Sequence, residues 1–133
     1  MEHTSTVTNM KKLFFDKIDF NGDISKWNVS NVTSMSYMFQ SSSLNGDISR
    51  CNVSNVTNMS VIFRETPFDG DISGWDVSCV TNMYAMFDLG RFNGDISEWN
   101  VSNVTDNAVG MLFEAFPLIR ISLYGATDAT FFI

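Results

Sequence analysis

The chain has 133 residues, of which 44% are hydrophobic, and a formal net charge of −7. This size and apolar content suit one folded domain with its own core and exclude a disordered tail. The negative charge argues against the basic face of a nucleic-acid binder, and no apolar run approaches the roughly 18 residues that span a bilayer. The composition therefore predicts one acidic domain without nucleic-acid binding and without a membrane span.

The N-terminal segment, residues 1–19, carries a partial copy, "VTNMKKLFF", of a motif that returns later. Its opening has no positive region followed by a long apolar stretch, so it predicts no secretory signal in this chain and leaves the location unknown. No polar cap precedes the motif. We therefore expect Val7, Met10 and Phe14 to be less protected than their later equivalents, and this end to contact another chain or to fray.

Four repeats of 24 residues fill residues 20–115, each close to "FNGDISKWNVSNVTSMSYMF". The first apolar residue of each repeat keeps the step without a gap: Phe20, Leu44, Phe68, Phe92 and Phe116. A fixed period of this length is typical of repeat arrays in which each unit buries its apolar side against its neighbours.

Within one repeat the pattern changes its period. "NGD" predicts a turn, and Trp27 and Val29 alternate as in a short strand. Met35, Met38 and Phe39 then follow the spacing of one helix face, with Thr33 placed as an N-cap. The sequence thus predicts an α/β repeat solenoid of about five coils, with one short parallel strand and one short helix per coil.

The tryptophan position of the repeat predicts an inward ladder, in which Trp27, Trp75 and Trp99 align and Cys51 fills the gap. Cys51 and Cys79 lie 28 residues apart, which is one coil plus four residues. Four strand-like residues place them roughly 13 Å apart, beyond disulfide reach, so two free thiols are expected. Residues 116–133 predict a degenerate C-terminal coil or cap, and 1–133 a single domain.

The stretch "GDISxWNVSNVTNMSxMF" resembles the BspA-like leucine-rich-repeat surface proteins in their mycoplasma-type variant, over about Val7 to Phe113. The resemblance implies a right-handed solenoid with strands on a concave side and helices on a convex side. It also implies a surface or adhesion role, often with secretion, and brings no catalytic residues. This chain departs from the pattern at Cys51, Asn107 and Met111.

Catalytic constellations are nearly absent. The single histidine is His3, no phosphate-binding glycine motif occurs, and histidine and cysteine together number three, too few for a zinc site. The sequence therefore predicts a protein that is not an enzyme and has no cofactor or metal. The aspartates Asp23, Asp47, Asp71 and Asp95 either share Ca²⁺ or cap their own turns. The asparagines of "NVSNVT" are either glycosylated or structural.

The remaining candidate site is the outward face of the predicted strands. The row that varies in charge consists of Lys26, Arg50, Gly74 and Glu98. The two nearly constant rows consist of Asn28, Asn52, Asp76 and Asn100, and of Ser30, Ser54, Ser78 and Ser102. Varied side chains on a rigid repeat frame predict a protein-binding surface, against the alternative of a solvated face. The predicted function is a protein-interaction or structural scaffold module. The alternatives are a cell-surface adhesion fragment and an accessory subunit of a larger complex or virion.

Overall fold

The structure, a computed structural model, describes residues 4–105. Over this range the regular elements are limited to one 3₁₀ helix, Thr4–Thr6. Isolated parallel bridges join successive repeats, from Asn9 to Ser34, from Ser34 to Asn58 and from Asn58 to Asn82. The repeats are therefore coils that stack in parallel, each in register with the next.

The predicted α/β solenoid with a strand and a helix in each coil is wrong. Where the helix was expected, the Met38 N–H donates to the Met35 carbonyl at 3.1 Å, and the Ser42 N–H to the Phe39 carbonyl at 3.0 Å. These are two β-turns, and the third residues of the turns, Tyr37 and Ser41, have φ of 60° and 57°. A left-handed residue suits the third position of a type II turn and cannot continue a right-handed helix.

The N–H groups that these turns do not use donate to carbonyls of the next coil. Tyr37 donates to the Ser60 carbonyl at 2.9 Å and Phe39 to the Ile62 carbonyl at 3.1 Å, both in the next coil. Left-handed residues recur at the same two places in the four coils that the structure describes there: Lys12 and Asp16, Tyr37 and Ser41, Val61 and Glu65, Ala85 and Leu89. Each costs about 1–2 kcal/mol, and the bonds between coils offset that cost.

The predicted strand is also replaced by turns. The Asp23 carboxylate accepts the Ser25 N–H at 2.9 Å, and the Asn28 side-chain oxygen accepts the Ser30 N–H at 3.0 Å. Such Asx turns use N–H groups that a strand would need for its ladder. The inward alternation survives between the turns, because Ile24 and Val29 are buried.

The threonine ladder has another role than the predicted helix cap. The Thr33 N–H and hydroxyl both donate to the Thr8 carbonyl of the preceding coil, at 2.7 and 3.2 Å. Thr57 and Thr81 repeat this arrangement on the coils that follow. The threonines therefore hold coils together, and no helix begins beside them in residues 4–105.

The tryptophan ladder is confirmed in the interior of the stack. Trp75 and Trp99 are 6% and 1% exposed, and their indole N–H groups donate to the Ile48 and Ile72 carbonyls at 3.1 and 3.0 Å. Trp27, in the first full repeat, is half-buried.

The cysteines are free, as predicted, with Cys51 half-buried and Cys79 exposed. Burial, with a smaller contribution from the charge of Asp47, raises the pKa of the Cys51 thiol. Cys51 thus occupies a tryptophan position as a neutral, mostly apolar side chain.

The glycine of the repeat is required where a phenylalanine precedes it by two residues. A Cβ on Gly70 would lie 2.8 Å from the ring of Phe68, which is fully buried, whereas a Cβ on Gly46 would meet nothing closer than 4.0 Å. We expect Gly70→Ala to lower the free energy of unfolding by about 1–3 kcal/mol, the usual cost of overpacking.

Gly46→Ala is the matched control for Gly70→Ala, since it makes the same change in the repeat where Leu44 replaces the phenylalanine. Urea unfolding of the two variants measures the difference. Equal losses of stability would contradict a clash with the ring.

Candidate binding surface

The predicted outward positions lie together along the stack, and we call them the row face. Its variable row consists of Lys26, Arg50, Gly74 and Glu98. All of these residues are exposed and stand at the same turn of successive coils, the turn that the bond from the Trp27 N–H to the Ile24 carbonyl closes in the first full repeat. The concave strand side that the resemblance implied is not formed, because these positions lie in turns.

The side chains of the two constant rows form the hydrogen bonds of local backbone turns. The Asn28 side-chain oxygen accepts the Ser30 N–H at 3.0 Å and the Ser30 hydroxyl at 2.6 Å. Asp76 and Ser78 repeat both bonds with the same distances. The N–H bond recurs from Ser54 to Asn52 and from Ser102 to Asn100. These side chains therefore shape the turns, which leaves the variable row as the part of the face with uncommitted side chains.

The aspartate ladder caps its own turns, as one of the two interpretations predicted. Each carboxylate accepts the N–H of the serine two residues later at 2.9 Å, in the pairs Asp23–Ser25, Asp47–Ser49, Asp71–Ser73 and Asp95–Ser97. Among residues 4–105, no three His, Cys, Asp or Glu side chains gather as metal ligands.

The charge of the row face changes along the stack. Bonds from the Ser25 hydroxyl and N–H, and more weakly the charge of Lys26, hold the pKa of the Asp23 carboxyl below its ordinary value. Ser49 and then Arg50 act in the same way on Asp47. Further along, the row face carries Asp76 and Glu98, and the aspartate ladder adds Asp71 and Asp95. The row face and the aspartate ladder together are therefore nearly neutral in the first coils and negative in the later ones.

The second asparagine of "NVSNVT" links adjacent coils, which supports the structural interpretation of these sites. Its side-chain N–H₂ donates at 2.7 Å to a backbone carbonyl of the preceding coil, from Asn31 to Ser5, from Asn55 to Ser30 and from Asn103 to Ser78. Cys79 occupies the same position in the remaining repeat and has no such amide.

Restoring the missing amide should stabilise the stack. We expect Cys79→Asn to raise the free energy of unfolding by about 0.5–1.5 kcal/mol, because the new side-chain amide would donate to the Ser54 carbonyl as its equivalents do. Thermal and urea unfolding measure the gain. Cys79→Ser, whose hydroxyl is too short to reach, is the control, and an equal gain in both variants would rule out the bond as the cause.

Acid should weaken the turn at Asp76. Bonds from the Ser78 hydroxyl and N–H hold the pKa of this carboxyl below its ordinary value of 3.8. A lowered folded-state pKa stabilises the fold above the unfolded pKa, and this contribution is lost as pH falls through the folded value. We therefore expect wild-type stability to fall below pH 3.8 more steeply than that of Asp76→Asn, which keeps the acceptor and does not titrate.

Unfolding curves of both proteins from neutral to acidic pH test this prediction, and Asn28, Asn52 and Asn100 show that the repeat accepts asparagine here. Parallel pH profiles for wild type and Asp76→Asn would contradict it.

The N-terminal end of the stack holds a hollow that the sequence did not locate. It has a volume of about 400 Å³, and its walls include Val7, Met10, Leu13, Phe14, Phe20 and Trp27. Val7 and Phe14 are half-buried, whereas their equivalents Val32 and Phe39 are 0% and 2% exposed. Met10 and its equivalent Met35 are both buried, at 3% and 4% exposure. The predicted lower protection is therefore seen in the exposure of Val7 and Phe14 and not in that of Met10.

Comparison with known proteins gives one family. A family model described as "Mycoplasma protein of unknown function, DUF285" matches residues 2–88 and 43–118. Searches of curated proteins and of solved structures gave no match. The match agrees with the predicted mycoplasma-type repeat family, while the narrower likeness to BspA-like proteins stays a prediction from the motif. No helix in residues 4–105 has the length and apolar character needed to cross a membrane.

Proposed function

We propose that this chain, which belongs to the DUF285 family of mycoplasma proteins of unknown function, is a non-enzymatic protein-interaction module. In this proposal the variable row of the row face contacts a protein partner. The observation that carries it is the contrast between the rows, since the asparagine and serine side chains are bonded into turns while Lys26, Arg50 and Glu98 are exposed.

The frame beneath the variable row is rigid by construction. Backbone bonds between coils and stacked rings hold each turn in register, as at Thr57 on Thr33 and at Phe63 on Phe39. The backbone that carries these side chains is fixed before binding, so recognition costs no backbone entropy at these positions. The same position can therefore change in each repeat without loss of the fold.

Charge selects the kind of partner. In the early coils the positive charges of Lys26 and Arg50 offset those of nearby aspartates. The later coils present carboxylates, including Asp76 and Glu98, on the same face. A partner with basic side chains opposite the later coils would be steered to this face, more strongly at low salt.

Affinity capture with paired baits tests the proposal. One bait carries Glu98→Lys, which reverses an exposed negative charge of the variable row, and the control bait carries Asp19→Lys, which makes the same change of sign at an exposed position outside the row face. We expect proteins from the source cell to be retained by wild type and by the control bait and lost from the row-face bait. Equal retention by all three baits would show that the row face is not the binding surface.

A further inference from the structure

The turn near the start of each repeat carries an Asx-Gly pair, which is Asn21-Gly22, Asn45-Gly46, Asp69-Gly70 or Asn93-Gly94. The Asn and Asp residues of these pairs are all exposed. The backbone nitrogen that follows an asparagine can attack the amide carbon of its side chain and close a succinimide ring. Glycine obstructs this ring closure least, because it has no Cβ and its backbone rotates most freely. The three Asn-Gly turns are therefore candidates for covalent modification.

The structure distinguishes Asn45 from Asn21 by the hydrogen bonds of their side chains. The Asn21 Oδ1 accepts the N–H of Asn45, which lies in the next coil, at 2.8 Å. The Asp69 Oδ1 accepts the N–H of Asn93 in the same way, also at 2.8 Å. Within residues 4–105 the Asn45 side chain accepts no such bond, because the N–H of Asp69 is not bonded to it. The amide of Asn45 can therefore turn toward its own backbone, whereas that of Asn21 is held by the adjacent coil.

The glycines of the two pairs differ in the same direction. A Cβ on Gly22 would lie 2.9 Å from the ring of Phe20, so this glycine is packed against an aromatic side chain. At Gly46 the atom nearest to the Cβ position is 4.0 Å away, because Leu44 replaces the phenylalanine. The Gly46 N–H also donates no hydrogen bond within residues 4–105. The peptide between Asn45 and Gly46 therefore has the room to rotate that ring closure requires.

We propose that Asn45 is a site of spontaneous deamidation in the folded protein. The Gly46 nitrogen loses its proton to hydroxide and bonds to the side-chain amide carbon of Asn45. The amide nitrogen takes a proton from water and leaves as ammonia, which gives a succinimide. Water then opens one of the two ring bonds to the Gly46 nitrogen. Opening at the side-chain carbonyl leaves an aspartate, and opening at the backbone carbonyl leaves an isoaspartate, in which the chain runs through the side chain.

The repeat accepts one of the two products. Asp69 occupies the equivalent position, is exposed and bonds to the next coil, so an aspartate at position 45 is compatible with the fold. It adds one negative charge to a chain with a formal net charge of −7. An isoaspartate instead adds a backbone atom directly after Leu44, which is fully buried, and works against the register of the coils. Deamidation would therefore change the charge of the second repeat and, in part of the molecules, its packing.

Peptide mapping by mass spectrometry tests the proposal on the full folded chain, incubated at neutral and at mildly alkaline pH. Asn21 is the internal control, because it has the same Asn-Gly pair and also the bond to the next coil. We expect the mass gain at Asn45 to build up about two- to tenfold faster than at Asn21, the factor that one net hydrogen bond contributes. Both rates should rise with pH. Equal rates at the two sites, or no gain at Asn45, would overturn the proposal.

The same chain unfolded in urea shows whether the fold causes the difference. Without the bond between coils, the pairs at Asn21 and Asn45 should react at similar rates. A preference for Asn45 that persists unchanged in urea would belong to the local sequence and would overturn the structural argument.

Two variants test the roles of the glycine and of the bond. Gly46→Ala places its Cβ in open space and should slow the gain at Asn45 while that at Asn21 continues. An unchanged rate at Asn45 would overturn ring closure through Gly46. Asp69→Asn makes a new Asn-Gly pair that keeps an oxygen for the N–H of Asn93, and it should react as slowly as Asn21. A reaction there as fast as at Asn45 would overturn protection by the bond. Urea melts check that both variants stay folded.

Discussion

Replacing Trp75 with alanine should cost about 3–5 kcal/mol of unfolding free energy, the range for a large aromatic side chain in a core. Trp75 is 6% exposed, lies 6.1 Å from the ring of Phe63 and donates its indole N–H to Ile48. The substitution therefore removes packing and a bond between coils together. Urea unfolding with a shared slope measures the loss.

Two further variants separate the contribution of the indole hydrogen bond from that of burial at Trp75. Trp75→Phe keeps a ring and removes the indole donor, while the Ile48 carbonyl still accepts the Cys51 N–H. We therefore expect the lost bond to cost about 0.5–1.5 kcal/mol. Trp27→Ala makes the same truncation at the half-buried end of the ladder and should cost clearly less than Trp75→Ala. A loss below about 1 kcal/mol for Trp75→Ala would show that the ladder is not part of the core.

Replacing Phe63 with alanine should also cost about 3–5 kcal/mol. Its ring is 1% exposed and stacks between Phe39 and Phe87, at 6.0 and 5.8 Å between ring centroids. Phe68, the first residue of the next repeat, stacks on it at 4.6 Å. Removing it opens a cavity in the middle of the ring column. The coils on both sides are tied by backbone bonds and cannot collapse into that space without breaking register.

Phe14 is the matched control for Phe63, because it is the first ring of the same column and is half-buried. In the described residues, Phe14 has a ring of an adjacent coil on one side only. We therefore expect Phe14→Ala to lower the free energy of unfolding by roughly half as much as Phe63→Ala. Calorimetry and urea melts at low concentration compare the two. Equal losses would mean that the end coil is covered as fully as an interior coil.

The periodicity of the sequence predicted which residues align. The 24-residue step places Thr57 on Thr33 and Thr81 on Thr57, and the structure bonds these pairs. The inward set also followed from the pattern, because an identical apolar residue in each copy can be buried only against its equivalents. The local conformation was predicted less well. "DIS", "NVS" and "NMS" are Asx-X-Ser triplets, the signal for side-chain-capped turns that the strand and helix interpretation passed over.

The sequence by itself determined the repeat, its register and its buried side, since these depend on which residue types recur and at what interval. Only the tertiary structure decided the path of the backbone. Met35, Met38 and Phe39 fit one helix face and equally fit two successive turns, and local propensity favours the helix. The turns prevail because alternate N–H groups, such as those of Tyr37 and Phe39, bond to carbonyls of the adjacent coil. Those bonds stabilise left-handed residues that an isolated repeat would not hold, so the conformation of each coil depends on its neighbours.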